Sequence, residues 1–253
     1  MEQWLFRKRH SLSHILAQAV QREQQRDVEV AIGPAIEDGF YYDFLFSPEY
    51  QLKEEDLKKI QTQMEKIIKE NQDFILFALP DAESQNLVVN LMKQQYKEEM
   101  RAEFSAAGEE ITFYANSIPE TAKAALLKGL SNEYISYYEA VTSYLQEKFP
   151  EKFNGRFVTF LDMCEGPHVE NTKELDTKAF KLDKLAGAYW RGNSDNVMMT
   201  RVYGLAFDTK EELQAHLTML EEARKRDHRI LGQKLKLFTI SPLVGSGLPL
   251  LQP

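Results

Sequence analysis

The chain has 253 residues, 43% apolar and 28% charged, with a net charge of −8. That is enough apolar material for one substantial core and a smaller unit beside it, while the acidic balance excludes a protein that grips nucleic acid over its whole surface; any RNA contact is local and DNA is not an expected partner. The one cysteine, Cys164, excludes an intramolecular disulfide, and the expected location is the cytoplasm.

Near the start, Arg7-Lys8-Arg9 ahead of Leu12, Ile15, Leu16 and Val20 has the outline of a secretory signal. His14, Gln18 and Gln21 interrupt the apolar stretch and no small-residue cleavage site follows, so the segment is read as mature protein. No run reaches the roughly 18 to 20 apolar residues of a bilayer span, and no membrane partner is expected. The apolar positions between 11 and 20 recur at three and four residues, which predicts an amphipathic helix. Residues 28–32 alternate as a strand and end at Gly33-Pro34; residues 40–46 predict a second strand, and the two predict a hairpin. Leu57, Ile60, Met64, Ile67 and Ile68 mark a helix, 74–79 a strand, and a third helix follows Pro80 with Asp81 as its cap and Leu87, Leu91 and Met92 as its buried stripe.

Strands are expected at 111–114 and 157–161, separated by a helical stretch near 116–155 whose leucines and tyrosines pack among themselves and which has the look of an insertion. Further strands are expected at 180–185, 188–190 and 197–203. The pattern predicts an α+β fold, mainly antiparallel sheet with packed helices, over 1–207. From Thr209 a charged helix opens with a capping box to Glu212 and runs as a connector over 208–232. The text of 233–253, with Gly245, Gly247 and Pro253, is too short for a core of its own and reads as the start of a further domain. Two basic clusters, Arg7-Lys8-Arg9 and Arg224-Lys225-Arg226 with His228 and Arg229, read from charge alone as solvated helix faces.

Two clusters carry chemistry. His10 and His14 are four apart, so both imidazoles leave one helix face about 6 Å apart along the axis. The second is the run from Asp162 to His168, with Cys164 and His168 on a turn that Gly166-Pro167 keeps out of helix. A lone cysteine is by default a small buried hydrophobe. If the four side chains meet, three nitrogens and one sulfur suit a tetrahedral zinc ion; equally, imidazoles suit a metal-free site that orients and deprotonates water. The spacing leaves both open.

The blocks also carry a resemblance. Arg9-His10-Ser11-Leu12-Ser13-His14 resembles the editing motif of the threonyl-tRNA synthetase family. Residues 32–43, including Gly39-Phe40-Tyr41-Tyr42-Asp43, look like that family's next block, and 162–168 is similar to its cysteine-histidine block. Residues 180–192 and Arg201-Val202-Tyr203-Gly204 resemble a segment that threonyl and alanyl synthetases share, and the helix around Lys225-Arg226 is similar to the one leading into the class II aminoacylation domain.

The resemblance implies an editing-domain-like fold and a proofreading site that hydrolyses serine misattached to threonine's tRNA. It implies a central constellation of His10, His14, Cys164 and His168, with Asp162 and Lys97 beside it and Tyr42 in the substrate pocket. Lys97, in Gln95-Tyr96-Lys97, has less typical flanks, and from charge alone a solvated position on a polar helix face suits it as well. The resemblance further implies tRNA as partner, homodimerisation through the aminoacylation domain, and ATP, magnesium and zinc as requirements of that domain rather than of editing; the motifs for those ligands do not occur in the chain. Two other readings fit the residues: a freestanding zinc-dependent deacylase acting in trans, and a tRNA-binding module without catalysis.

Overall fold

The structure, a computed structural model, describes residues 3–226, 231–232, 234–240 and 249–251. A long helix α1 (Gln3–Glu23) forms because no glycine or proline interrupts the segment, and it ends where Gln25 and Arg26 turn left-handed. It starts earlier than the apolar period suggests because its first turns lie partly in solvent. Three strands follow, β1 (Val28–Val30), β2 (Ala35–Ile36) and β3 (Gly39–Phe46), then α2 (Leu57–Lys69), β4 (Asp73–Leu79) and α3 (Asp81–Gln85). Next come α4 (Gln95–Ala107), β5 (Ile111–Pro119), α5 (Lys123–Leu126), α6 (Asn132–Lys148), α7 (Pro150–Phe153), β6 (Arg156–Met163), β7 (Phe180–Tyr189), β8 (Met198–Ala206) and α8 (Lys210–Lys225). Short strands β9 (Phe238–Ile240) and β10 (Pro249–Leu251) pair antiparallel. The fold is α+β, and every strand pair described is antiparallel. No described helix is long and apolar enough to cross a membrane.

The predicted hairpin is present: Val28 lies opposite Phe46 and Val30 opposite Phe44. The larger sheet runs β1-β3-β8-β7, with β2 on β3, and a second sheet runs β4-β5-β6. One face of the larger sheet packs on α1 and α2 through Ile15, Leu16, Phe40, Tyr42, Phe44, Met64 and Val202. Gly39 and Gly204 let β3 and β8 approach: a Cβ on Gly39 would sit 1.9 Å from the Gly204 carbonyl oxygen.

Several expectations need correction. The helix after Pro80 is broken: α3 gives way to a π-helical turn (Asn86–Met92), Lys93 turns left-handed, and α4 starts anew. Asp81 does not cap it, because Pro80 occupies the N-cap and the Asp81 carboxylate pairs with Arg101. Strand β5 continues to Pro119 because Asn116 and Ser117, polar and unpromising as strand, are buried in register with β4. The tyrosine-rich α6 lays Tyr134, Tyr138, Val141 and Leu145 onto β6 and its neighbours, each at most 2% exposed. At about 1.5 to 3 kcal/mol for each large side chain removed from water, this layer is a main source of the smaller sheet's stability. Residues 188–190 are not a separate strand; β7 carries a bulge near Leu182 and runs through to Tyr189.

Arg9 is not solvated either: it is 3% exposed and donates to the carbonyls of Ala206, Ile36 and Glu37, tying α1 to the sheet. Lys8 pairs with Asp208. The chain divides into residues 1–208 and 209–253. In the second unit Thr209 Oγ1 accepts from the Glu212 amide, while Lys225 and Arg226 pair with Glu221 and Glu222 one turn back on an exposed face. His228, Arg229, Gly245, Gly247 and Pro253 lie outside the described residues.

Candidate active site

His10 and His14 project from the buried face of α1 toward the end of β6, where the chain leaves the sheet. The Cys164 amide donates to the Thr112 carbonyl and the Thr112 hydroxyl returns a bond to the Cys164 carbonyl, so the turn is anchored on β5. Gly166 has φ +78°, and a Cβ there would meet the Tyr114 hydroxyl at 2.5 Å, so only glycine brings the turn this close. The Cys164 Sγ lies 3.3 Å from His10 Nε2 and 3.3 Å from His168 Nε2. The rings of His10 and His14 stand 4.2 and 4.1 Å from that of His168, centroid to centroid, and Phe74 stacks on His168 at 5.0 Å. One ligand atom from each of His10, His14, Cys164 and His168 falls within 4.8 Å of the others.

Behind this cluster is a buried charge. Lys97, on α4, places Nζ 2.5 Å from Asp162 Oδ1, both side chains 2% exposed. The Tyr42 hydroxyl donates to Asp162 Oδ2 at 2.6 Å and accepts from Lys97 at 3.2 Å, and His14 Nε2 sits 3.5 Å from the same carboxylate. Gly33 makes room for Tyr42; a Cβ there would lie 2.1 Å from its ring. Lys97 thus faces inward on the otherwise polar α4. All seven residues singled out in the sequence converge here: His10, His14, Cys164 and His168 at the cluster, Lys97, Asp162 and Tyr42 beneath it.

Burial sets the protonation. It pushes His14 and His168 well below the usual histidine range, helped by the neighbouring imidazoles and, for His14, by Lys97. His10, partly exposed at the rim, is also lowered by burial, against the opposing pull of Asp162. The Cys164 thiol is pushed up to about 12 by burial and by Asp162. Burial likewise holds Tyr42 well above the usual phenol range, so it stays a hydroxyl. The rim therefore carries neutral imidazoles and a neutral thiol, the protonation state in which an imidazole takes a proton from water.

A metal ion is the other chemistry this donor set admits. Zinc–nitrogen and zinc–sulfur bonds of about 2.0 and 2.3 Å put tetrahedral ligands roughly 3.3 to 3.6 Å apart, and the two sulfur–nitrogen distances of 3.3 Å lie at the short edge of that range. Three imidazole nitrogens and one sulfur fit zinc, which His10, His14, Cys164 and His168 would hold.

One residue that the sequence reading passed over stands beside the cluster. Ser11, fully buried, has its Oγ 3.2 Å from His168 Nδ1 and accepts the Val169 amide at 2.9 Å. Nothing in the sequence marks it beyond its place between the two histidines, since a serine on a helix is ordinarily without consequence.

The chain is similar in sequence to known proteins. Residues 150–203 match the family described as the threonyl and alanyl tRNA synthetase second additional domain. Over 97% of its length the chain is 40% identical to a threonine–tRNA ligase of Fusobacterium nucleatum, covering 32% of that protein. It is 42% identical to that of Clostridium novyi and 40% identical to threonine–tRNA ligase 1 of Bacillus subtilis, in each case over 97% of the chain and 31% of the relative. The chain thus spans about a third of the length of the curated relatives it matches.

Proposed function

We propose that this chain, which carries the second additional domain of threonyl and alanyl tRNA synthetases and is related over nearly all its length to threonine–tRNA ligases, is the proofreading part of such an enzyme. In this reading it hydrolyses seryl esters of threonine's tRNA, in the cytoplasm, within a protein that attaches threonine to that tRNA using ATP. The observation that carries the reading is the meeting of His10, His14, Cys164 and His168 around one point, above a buried Lys97–Asp162 pair.

Serine lacks one methyl of threonine, and a missing methylene-sized group yields only about 1 to 3 kcal/mol of discrimination in a synthetic pocket. A second site that admits the smaller side chain removes the error. Water attacks the ester carbonyl carbon, the carbon–oxygen bond to the terminal ribose breaks, and the ribose oxygen leaves with a proton, giving free serine and uncharged tRNA. His10 is the proposed base, because it is neutral and reaches the rim. Lys97 is proposed to stabilise the oxyanion electrostatically. Asp162, already engaged by Lys97, Tyr42 and His14, positions these groups. Cys164 and His168 shape the pocket; a thiol held up to about 12 makes a poor thiolate nucleophile, which favours water over an acyl-enzyme. Release of serine from seryl-tRNA of the threonine type tests the proposal: His10→Ala is expected to slow it at least a hundredfold, and an unchanged rate in that variant would refute the assignment.

The four-ligand cluster also supports a second reading, a zinc-dependent deacylase. Stoichiometric zinc in the purified protein, with hydrolysis lost to a chelator and restored by zinc, would establish it.

A further inference from the structure

We propose that Ser11 is a positioning residue that fixes the tautomer of His168, making it a proton donor to Cys164. The inference rests on the hydrolytic site proposed above for its purpose, and on local geometry alone for its truth.

The Ser11 hydroxyl has one hydrogen to give. Its oxygen already accepts the backbone amide of Val169, an unambiguous donor, at 2.9 Å. Ser11 is fully buried, so water offers no alternative, and among the described residues the hydroxyl's one hydrogen-bond partner besides that amide is His168 Nδ1 at 3.2 Å. A buried hydroxyl hydrogen without an acceptor is costly, so the bond runs from Ser11 to Nδ1, and Nδ1 is the unprotonated nitrogen. A neutral ring whose Nδ1 accepts that hydrogen carries its own on Nε2, which faces the Cys164 sulfur at 3.3 Å.

The consequence passes along the cluster. The sulfur thus accepts from His168 Nε2–H and from the Gly166 amide at 3.2 Å. A directed chain results: Ser11 to His168, then His168 to Cys164.

The test is a long-range proton–nitrogen NMR spectrum of the histidine rings in the metal-free protein at pH 7, with the His168 signals identified by their loss in His168→Asn. The expected pattern is a protonated Nε2 and an unprotonated Nδ1; a protonated Nδ1 in the wild-type protein overturns the proposal, whether or not the protein hydrolyses any ester. In Ser11→Ala the two tautomers are expected to mix, with Ser11→Thr restoring the single form; a single Nε2–H form persisting in Ser11→Ala contradicts the role given to the hydroxyl. Should the ester assays fail while the spectrum is as expected, the hydrolytic reading falls and the Ser11 assignment stands.

Discussion

The buried Lys97–Asp162 pair makes the sharpest stability prediction. Both side chains are 2% exposed and their charged atoms are 2.5 Å apart, with the Tyr42 hydroxyl hydrogen-bonded to each. Removing one partner strands a charge in the interior, which costs about 3 to 5 kcal/mol, whereas replacing both with side chains of similar volume is close to neutral. Lys97→Met leaves the carboxylate without its cation, and Asp162→Asn leaves the ammonium without its anion while Tyr42 keeps an acceptor. Each single variant is expected to lose about 4 kcal/mol, which at a urea m-value of about 2 kcal/mol per molar lowers the unfolding midpoint by about 2 M. The double variant is expected to lose only about 1 to 2 kcal/mol, less than either single change, because the two effects are one interaction counted twice. Equilibrium urea unfolding followed by circular dichroism measures all three. Single losses below about 1 kcal/mol, or a double variant equal to the sum of the singles, would refute the claim that this charge pair is desolvated and mutually dependent.

Gly33→Ala is expected to destabilise by about 1 to 3 kcal/mol and to displace Tyr42, since its Cβ would lie 2.1 Å from the ring; an unchanged midpoint in the same urea titration would contradict the close approach. His14 and His168 have folded pKa values well below the unfolded value near 6.5, so below that pH the unfolded chain binds more protons and stability falls. Each contributes a slope approaching about 1.4 kcal/mol per pH unit, and metal-free protein whose urea midpoint does not move between pH 7 and 5.5 would show that these rings are not buried neutral. If water rather than sulfur attacks, quenching a reaction with labelled seryl-tRNA leaves no serine on the protein; a labelled adduct lost in Cys164→Ala would establish the thiol as nucleophile.

Much of the site was legible because its signals are local. The four-residue histidine spacing needs only a helix to bring both rings to one face, and Gly166-Pro167 needs only a turn. That these segments meet depends on antiparallel pairing of β5 with β6, which the apolar pattern suggested only in part. Polar residues hid the rest. Asn116 and Ser117 are buried in β5 with no apolar alternation to announce them, and Lys97 sits on a helix whose charges suggest solvent although its ammonium is satisfied by Asp162 far along the chain. Arg9 was hidden in the same way, since three successive basic residues suggest a solvated face while one of them turns inward to three carbonyls. The break after Pro80 was illegible for a different reason: Leu87, Leu91 and Met92 keep a helical period through a π-helical turn, and a left-handed Lys93 carries no sequence signal of the kind glycine gives. Ser11 acts through one hydroxyl hydrogen, a feature visible only once its neighbours are in place.

The central claim, that this cluster removes serine and spares threonine, is tested most directly by single-turnover hydrolysis of the two esters on the same tRNA by this chain. Excluding one methyl group is worth about 1 to 3 kcal/mol, so the seryl ester is expected to be lost about 10- to 100-fold faster than the threonyl ester. Equal rates for the two would contradict the account.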